Sequence, residues 1–269
     1  MGYTSKIIYQ NCNRIPIATH YVVCQAVRLR CLIVQSLLYQ NKKGVNMSDH
    51  YSEFVQSSVG RKIAQNLGLP LPTTLERFKE GQAPITGRVI FGSSLNGALA
   101  GSIAKILANT QAQVFMDAAQ TASAALTQAH ISASAFTAEQ TYKVAIFDAS
   151  GIQSADDLKQ VYTFFHPIAR SIEKSGRVVV LGLPPEQCQS IAQAAAQRAL
   201  EGFVKSVAKE FKRGITAQLI YVAEHAAENL ESTLRFFASP RSAYVSGQVV
   251  RVGAGNGVAV DWQKPLKDK

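Results

Sequence analysis

From residue 88 onward, short apolar runs alternate with longer segments in which apolar residues recur every three or four positions. The short runs predict buried strands, and the periodic segments predict amphipathic helices. The predicted strands are Arg88–Phe91, Gln113–Met116, Lys143–Phe147, Arg177–Leu181, Thr216–Val222 and Gln248–Val252. The predicted helices are Gly97–Asn109, Ala155–Lys174, Glu186–Lys212 and Ala226–Ala238. Residues 88–260 are therefore expected to form an α/β domain with a mostly parallel, doubly wound sheet and helices on both faces.

Within this region, residues 118–141 have the weakest pattern, because they are rich in Ala, Ser, Thr and Gln. We expect a short helix and a loose loop there. Gly176 is expected to end the helix Ala155–Lys174. The pairs Phe164-Phe165 and Phe236-Phe237 lie on the apolar sides of predicted helices and are assigned to the core.

The segment before the α/β region, residues 47–87, combines a helix with a proline-rich arm. Apolar spacing predicts a helix over residues 48–67, with Ser48 and Asp49 as capping residues and Gly68 as its end. Leu69-Pro70-Leu71-Pro72 follows as an extended arm, because proline fixes its own backbone and restricts the residue before it.

Residues 1–46 differ in composition from the rest of the chain. They hold six basic side chains and no acid, contributing +6, whereas residues 47–269 hold 22 basic and 18 acidic side chains, contributing +4. A transit peptide fits poorly, since Ser and Ala are scarce. Lys43-Gly44-Val45 can be encoded as a purine-rich bacterial ribosome-binding sequence just before Met47. We therefore expect residues 1–46 to be a non-native or disordered leader, which N-terminal sequencing of the native protein would test.

Several classes of protein are excluded by composition. The remaining charge is too small for a nucleic-acid-binding protein, and no uncharged apolar run is long enough for a membrane span. Among the four cysteines there is no C-x-x-C pair, and His130, His166 and His225 show no metal-binding spacing. We expect a cytoplasmic protein without a metal site.

A glycine-containing loop follows the first predicted strand and opens the first helix. Such loops can hold a pyrophosphate at a helix N-terminus, and an acid about 20 residues later can bind the ribose. The candidate cofactor-binding residues are Gly92, Ser93, Ser94, Asn96, Gly97 and Asp117. The spacing is G-x₄-G-x₃-G instead of G-x-G-x-x-G, so a structural turn with Asp117 as a solvated strand end is the alternative.

Several strings resemble short-chain dehydrogenases/reductases. Residues 199–211 (ALEGFVKSVAKEF) are similar to the long helix after the active-site tyrosine, and residues 243–252 to the C-terminal strand. Residues 147–151 (FDASG) resemble the N-N-A-G element of the fourth strand, and residues 177–182 the fifth strand.

Other strings resemble one branch, the high-molecular-weight 3-oxoacyl-acyl-carrier-protein reductases. Residues 66–72 (NLGLPLP), 75–78 (LERF) and 81–82 (GQ) are similar to their opening, and residues 261–266 (DWQKPL) to the linker before their second domain. The resemblance implies a shortened, Rossmann- or flavodoxin-like first domain, with residues 261–269 leading to a ketoreductase domain. The cofactor of the whole family is NAD(P)H, and the implied setting is bacterial fatty-acid metabolism.

The same resemblance identifies the positions of the catalytic residues. The tyrosine corresponds to Gln193, the lysine four residues on to Gln197, and the serine falls near Gly182. A glutamine amide can neither supply the acid proton nor the positive charge that these roles require. The resemblance thus implies a non-catalytic domain that serves assembly or substrate docking.

The implied partners are a C-terminal ketoreductase domain, a second copy of this chain in a homo-oligomer, and acyl-CoA or acyl carrier protein. We expect no cofactor to be bound by this domain itself. Two alternatives stay open: an active 3-oxoacyl thioester oxidoreductase, and a module that binds a nucleotide or phosphopantetheine without chemistry.

Overall fold

The computed structural model describes residues 54–55, 57–69, 71 and 73–255. The chain divides into two units, residues 1–72 and 73–269. The expected leader, residues 1–46, and the expected linker, residues 261–269, lie outside the described residues.

In the first unit, helix α1 spans Ser58–Asn66. Ser57 precedes it as the N-cap, and its Oγ accepts a hydrogen bond of 3.0 Å from the Gly60 N–H. Gly68 follows with a φ of 65°, which confirms it as the residue that ends this helix. The predicted capping residues Ser48 and Asp49 lie outside the described residues.

The second unit is built on one sheet in which every neighbouring pair of strands is parallel. Its strands are β1 Thr86–Ser93, β2 Gln111–Met116, β3 Ser134–Ala135, β4 Tyr142–Asp148, β5 Ile172–Gly182, β6 Thr216–Val222 and β7 Gln248–Val252. The spatial order is β3-β2-β1-β4-β5-β6-β7. This is the Rossmann order with a seventh strand, and it differs from the flavodoxin order, in which β1 and β3 are neighbours.

Helices cover both faces of the sheet, which confirms the doubly wound architecture. The helices of this unit are α2 Ala100–Ala108, α3 Ser123–Gln128, α4 Leu158–Ile168, α5 Ile191–Glu210 and α6 Leu230–Phe237. Buried side chains of α2, α3 and α6 pack in one core, and those of α4 and α5 pack in another. Phe164 and Phe165 are buried in the second core, as predicted, and Phe237 is buried in the first.

The predicted helix Ala155–Lys174 is too long. Helix α4 ends at Ile168, just after Pro167, which has no N–H to donate to a helical hydrogen bond. The chain then joins the sheet: the Tyr142 N–H donates to the Ser171 carbonyl at 2.7 Å, and β5 begins at Ile172. Gly176 lies inside β5 and ends no helix, so that prediction was wrong.

Gly176 is required for close packing within the strand. A Cβ at this position would lie 2.5 Å from Ile172 Cγ2 and 2.9 Å from the Glu173 carbonyl oxygen. The residue before it, Ser175, has a φ of 54°, and the pairing of β4 with β5 shifts register between Tyr142 and Val144. The irregular start of β5 is what the local sequence pattern failed to predict.

Two further predictions need correction. Strand β3, which lies in the Ala/Ser/Thr-rich region, was not predicted. Its two residues pair with the end of β2, and the same region also contains α3. The predicted helix Glu186–Lys212 is divided into a 3₁₀ turn, Pro185–Gln187, and α5. Ser190 caps α5, since its Oγ accepts a hydrogen bond of 3.1 Å from the Gln193 N–H.

Helix Ala226–Ala238 is also shorter than predicted. It consists of a 3₁₀ turn, Ala227–Asn229, followed by α6. A third 3₁₀ turn, Pro240–Ser242, precedes β7.

Residues 73–82 form an irregular strap along the amino ends of the strands. The Glu76 N–H donates to Ser175 Oγ at 3.2 Å, and the Glu76 carboxylate pairs with Lys143. Further along, the Phe78 ring lies 3.9 Å below the Arg241 guanidinium. The strap lies at the edge opposite the one where ligands bind in this type of sheet.

Candidate functional site

The candidate site lies where the strand order reverses, at the carboxyl ends of β1 and β4. The two strands are neighbours, and Ser93 at the end of β1 is paired with Asp148 at the end of β4. The Ser94 N–H donates to the Asp148 carbonyl at 2.7 Å. This pairing places the loop Gly92–Gly101 beside the loop Asp148–Gly151, in the crevice where open α/β sheets bind their ligands.

Asp148 is the central polar residue of this crevice, and it is fully buried. Its Oδ2 accepts a hydrogen bond of 3.0 Å from the Leu99 N–H, at the start of α2, and lies 3.4 Å from Ser93 Oγ. Its Oδ1 accepts one of 2.9 Å from the Ser150 N–H. Burial raises the pKa of the Asp148 carboxyl, and these hydrogen bonds oppose the rise in pKa.

Ser94 and Ser150 complete the closure of the glycine loop. The Ala98 N–H donates to Ser150 Oγ at 2.7 Å, and the Gly97 N–H donates to the Ser94 carbonyl at 3.0 Å. In the other direction, the Gly151 N–H donates to Ser94 Oγ at 3.0 Å. The backbone amides of Gly97, Ala98 and Gly151 therefore donate to groups of the protein itself.

The glycines allow the two loops to approach closely. A Cβ on Gly97 would collide with Ser93 Oγ and lie 2.5 Å from Asp148 Oδ2, and one on Gly151 would collide with the Leu95 carbonyl oxygen. Asn96 is exposed and has a φ of 57°. Loop geometry thus accounts for Gly97 without reference to a ligand.

A dinucleotide needs free N–H groups at the start of this helix for its pyrophosphate. Here the N–H groups of Ala98 and Leu99 already donate to Ser150 and Asp148. The Asp148 carboxyl group also takes up the space beside them. The described residues therefore do not fit NAD(P)H in the way that this fold usually holds it.

Asp117 directly follows β2 and is buried, with 6% of its surface exposed, so it is not solvated as the alternative expected. Its Oδ1 accepts hydrogen bonds from the Thr121 N–H at 2.9 Å and Thr121 Oγ1 at 3.0 Å. Thr121 Oγ1 in turn accepts one of 2.8 Å from the Ser93 N–H. Burial raises the pKa of Asp117, against the effect of the Thr121 hydrogen bonds. Asp117 contributes to a cleft of about 300 Å³ that is also lined by Ser93, Thr121, Phe147, Lys159 and Phe164.

A second cleft of about 320 Å³ lies on the other side of the glycine loop, lined by Leu99, Leu183, Gln187, Gln193, Val222 and His225. Gln193 Oε1 accepts a hydrogen bond of 2.9 Å from the Gln189 N–H, and Gln187 Oε1 accepts one of 3.0 Å from the Glu224 N–H. Backbone donors occupy both amide oxygens, so Gln187 and Gln193 can offer their NH₂ groups as donors to this cleft.

Gln197 is completely buried and connects three segments of the chain. Its Nε2 donates to the carbonyls of Ala149 at 2.9 Å and Ile152 at 3.0 Å, and its Oε1 accepts from the Leu183 N–H at 3.0 Å. A Cβ on Gly182 would lie 2.6 Å from Gln197 Oε1. The three positions that the resemblance assigns to catalysis are therefore occupied by a cleft-lining amide, a structural amide and a packing glycine.

Tyr221 contacts one of these positions, since its hydroxyl donates to the Gln197 carbonyl at 2.9 Å. Burial, and the charge of Glu201, raise its pKa well above the usual value. Such a group holds its proton too strongly for general acid catalysis near neutral pH.

No group of three or more His, Cys, Asp or Glu side chains within the described residues is close enough to hold a metal ion. Among the described helices, none is long and apolar enough to cross a membrane.

No family model and no curated protein sequence matches the chain. Solved structures do match it. A dehydrogenase/reductase from Sinorhizobium meliloti 1021 superposes with a TM-score of 0.50 and 18% identity, over 64% of this chain and 95% of that chain. The promiscuous reductase LugOII, which catalyses keto-reduction at C1 in lugdunomycin biosynthesis, gives 0.51 and 17%, over 65% and 99%. BdcA in complex with NADPH gives 0.50 and 16%, over 68% and 100%. This chain therefore has a short-chain dehydrogenase/reductase fold.

Proposed function

We propose that this chain is a non-catalytic relative of the short-chain dehydrogenases/reductases, the N-terminal domain of a high-molecular-weight 3-oxoacyl-acyl-carrier-protein reductase. The observation that carries the proposal is the environment of Gln197. At the position of the catalytic lysine, its amide binds two backbone carbonyls and one backbone N–H. A side chain used in this way supports the packing of the domain and offers neither charge nor proton to a substrate.

The proposal is tested by a turnover assay on the full chain. We expect no oxidation of NADH or NADPH above the enzyme-free rate with acetoacetyl-CoA as substrate, because removal of a tuned general acid alone costs about 10²–10⁴-fold in rate. An active 3-oxoacyl-acyl-carrier-protein reductase serves as the positive control. Turnover that persists in the Gln193→Ala variant would contradict the assignment of catalytic positions, and turnover by the unaltered chain would favour the alternative of an active oxidoreductase.

Assembly is the first role that we propose for the domain. A groove of about 190 Å³ between α4 and α5 is lined by Leu158, Val161, Tyr162, Ala199, Leu200 and Phe203. Tyr162 is 61% exposed beside it. In the family that the chain resembles, the counterpart of α5 builds subunit contacts, so we infer that a second copy of this chain packs on the groove.

Substrate docking is the second role, and the glutamine-lined cleft supports it. The NH₂ groups of Gln187 and Gln193 are donors without an acidic proton, so they can hold a carbonyl oxygen without reducing the carbonyl group. This is the chemistry expected for holding the acyl thioester of acyl-CoA or acyl carrier protein close to a reductase.

The docking role is tested by calorimetric titration of the full chain with acetoacetyl-CoA. In the Gln193→Glu variant, one oxygen can still accept from the Gln189 N–H, but the other presents an acceptor to the cleft. We expect at least a tenfold loss of affinity in this variant. Gln113→Glu adds the same charge at an exposed position of β2 and should bind as the unaltered chain does. Equal binding by both variants would contradict docking in this cleft.

The remaining assignments follow from the same proposal. The working partner is a C-terminal ketoreductase domain, which would hold the NAD(P)H, and the setting is the cytoplasm. Binding of NADH or NADPH by this chain without turnover would instead favour the alternative of a nucleotide-binding module.

A further inference from the structure

We propose that Asp148 is an internal ligand of the glycine loop, whose carboxyl group occupies the anion position at the amino end of α2. The anion position is the point between the N–H groups of Leu99 and Ser150. In a dinucleotide-binding fold, a phosphate of the ligand lies at the start of this helix. The inference concerns the loop alone and does not depend on the proposed assembly or docking roles.

The first observation is that both carboxyl oxygens of Asp148 are used. Oδ2 accepts from the Leu99 N–H at 3.0 Å, and Oδ1 accepts from the Ser150 N–H at 2.9 Å. A phosphate group would bind the same donors in the same manner, through two oxygens on one centre. Because Asp148 is fully buried, no solvent competes for these hydrogen bonds.

The second observation is that the surrounding loop is fitted to this side chain. Gly97 has no Cβ where one would lie 2.5 Å from Asp148 Oδ2, and Ser93 Oγ lies 3.4 Å from the same oxygen. Ser150, two residues after Asp148, receives the next amide of the loop, that of Ala98. The loop is therefore held by groups that come from the end of β4 and the residues after it.

This arrangement has a direct consequence for ligands. A phosphate could reach the anion position only by displacing a buried side chain and breaking two hydrogen bonds. A dinucleotide lying across the clefts beside Asp117 and Gln193 would therefore find the amides of Leu99 and Ser150 already occupied by Asp148. A small ligand that fits into one cleft alone would not need the anion position.

Chemical rescue tests the proposal on the full chain. Asp148→Ala removes the carboxyl group, which is about the size of formate, and leaves the N–H groups of Leu99 and Ser150 without this partner. We expect the variant to have a lower Tm than the unaltered chain. Formate should then raise its Tm by roughly 3–6 °C at a concentration about tenfold above the Kd of formate for the variant. Sodium chloride at the same ionic strength should not.

Leu219→Ala is the matched control, because Leu219 is fully buried in β6, within the core formed with α4 and α5. Its loss lowers stability without creating an anion site. A formate response of Asp148→Ala no larger than that of Leu219→Ala would overturn the proposal. So would calorimetric binding of NADPH to the unaltered chain, a result that leaves the turnover test of the proposed function unaffected.

A second variant covers the case in which Asp148→Ala does not fold. In Asp148→Asn, the side chain can accept from only one of the two backbone amides, and its own NH₂ group faces the other. We expect a lower Tm than that of the unaltered chain. An unchanged Tm would show that the paired acceptors are not required and would overturn the proposal.

Discussion

The buried carboxyl group of Asp148 gives the protein a measurable dependence of stability on pH. Its pKa is raised in the folded state, so the folded state binds its proton more tightly than the unfolded state does. Its contribution to stability is therefore fully present below the unfolded-state pKa, and it is lost as the pH rises through the folded-state pKa.

We expect the free energy of unfolding of the unaltered chain, minus that of Asp148→Asn, to fall as the pH is raised from about 4. Urea unfolding of both proteins across a pH series measures this difference, in which titrations common to the two proteins cancel. A difference that increased with pH would mean that hydrogen bonding, and not burial, controls the pKa of Asp148.

Gln197 should contribute strongly to stability, because this polar side chain is completely buried. Gln197→Leu leaves the buried carbonyls of Ala149 and Ile152 and the N–H of Leu183 without this partner. We expect a loss of at least about 2 kcal/mol in the free energy of unfolding, since each buried unpaired group costs about 1–3 kcal/mol. The exposed Gln189, changed to Leu, should cost less than about 0.5 kcal/mol in the same urea titration.

The resemblance pointed to individual residues, but it did not predict the distant partners that give those residues their roles. The resemblance located Gln197 and Gly182, and the structure places them in contact. Asp148 was noted only within a matching string, because an acid at the end of a strand has no special local pattern. Its role comes from the Leu99 N–H, which lies 49 residues away in the sequence.

Helices and strands were predicted in type and buried face more reliably than in their ends. Phe164 and Phe165 of α4 are buried as predicted, together with Val161 and Ile168 on the same side of the helix. The end of α4 was predicted too late, because Ile172 fits the apolar spacing of a longer helix as well as that of a new strand. Pairing of Ile172 with Tyr142 of β4 makes it part of a strand, and this pairing cannot be read from the local sequence.

Capping of α5 can be tested as a property of the helix itself. Ser190→Ala removes the acceptor of the Gln193 N–H and should cost about 1 kcal/mol, or roughly 2–4 °C in Tm. Ser206→Ala, at an exposed position of the same helix, should leave the Tm nearly unchanged or raise it slightly. A Tm loss equal in both variants would show that the cap contributes nothing.

For the whole molecule, substitutions at two glycines can test whether two copies associate without disturbing the fold. Gly202 in α5 and Gly101 in α2 are exposed helical residues with open space where a Cβ would lie. Gly202→Glu places a charge on the exposed side of α5, beside the groove, so we expect it to shift the chain towards monomer in sedimentation velocity. Gly101→Glu should retain the oligomer. An unaltered chain that stayed monomeric at high concentration would contradict the assembly role.

The strap also has a consequence for the order in which the structure can form during synthesis. Glu76 leaves the ribosome before both of its partners, since Lys143 follows 67 residues later and Ser175 follows 99 residues later. Phe78 can contact its partner, Arg241, only after a still longer part of the chain has been synthesised. Closing such long loops is slow and entropically costly. The strap is the first part of this unit to be synthesised, and it is therefore among the last parts to reach its final contacts. The amino ends of the strands remain uncovered in the nascent chain until the 3₁₀ turn Pro240–Ser242 has been synthesised.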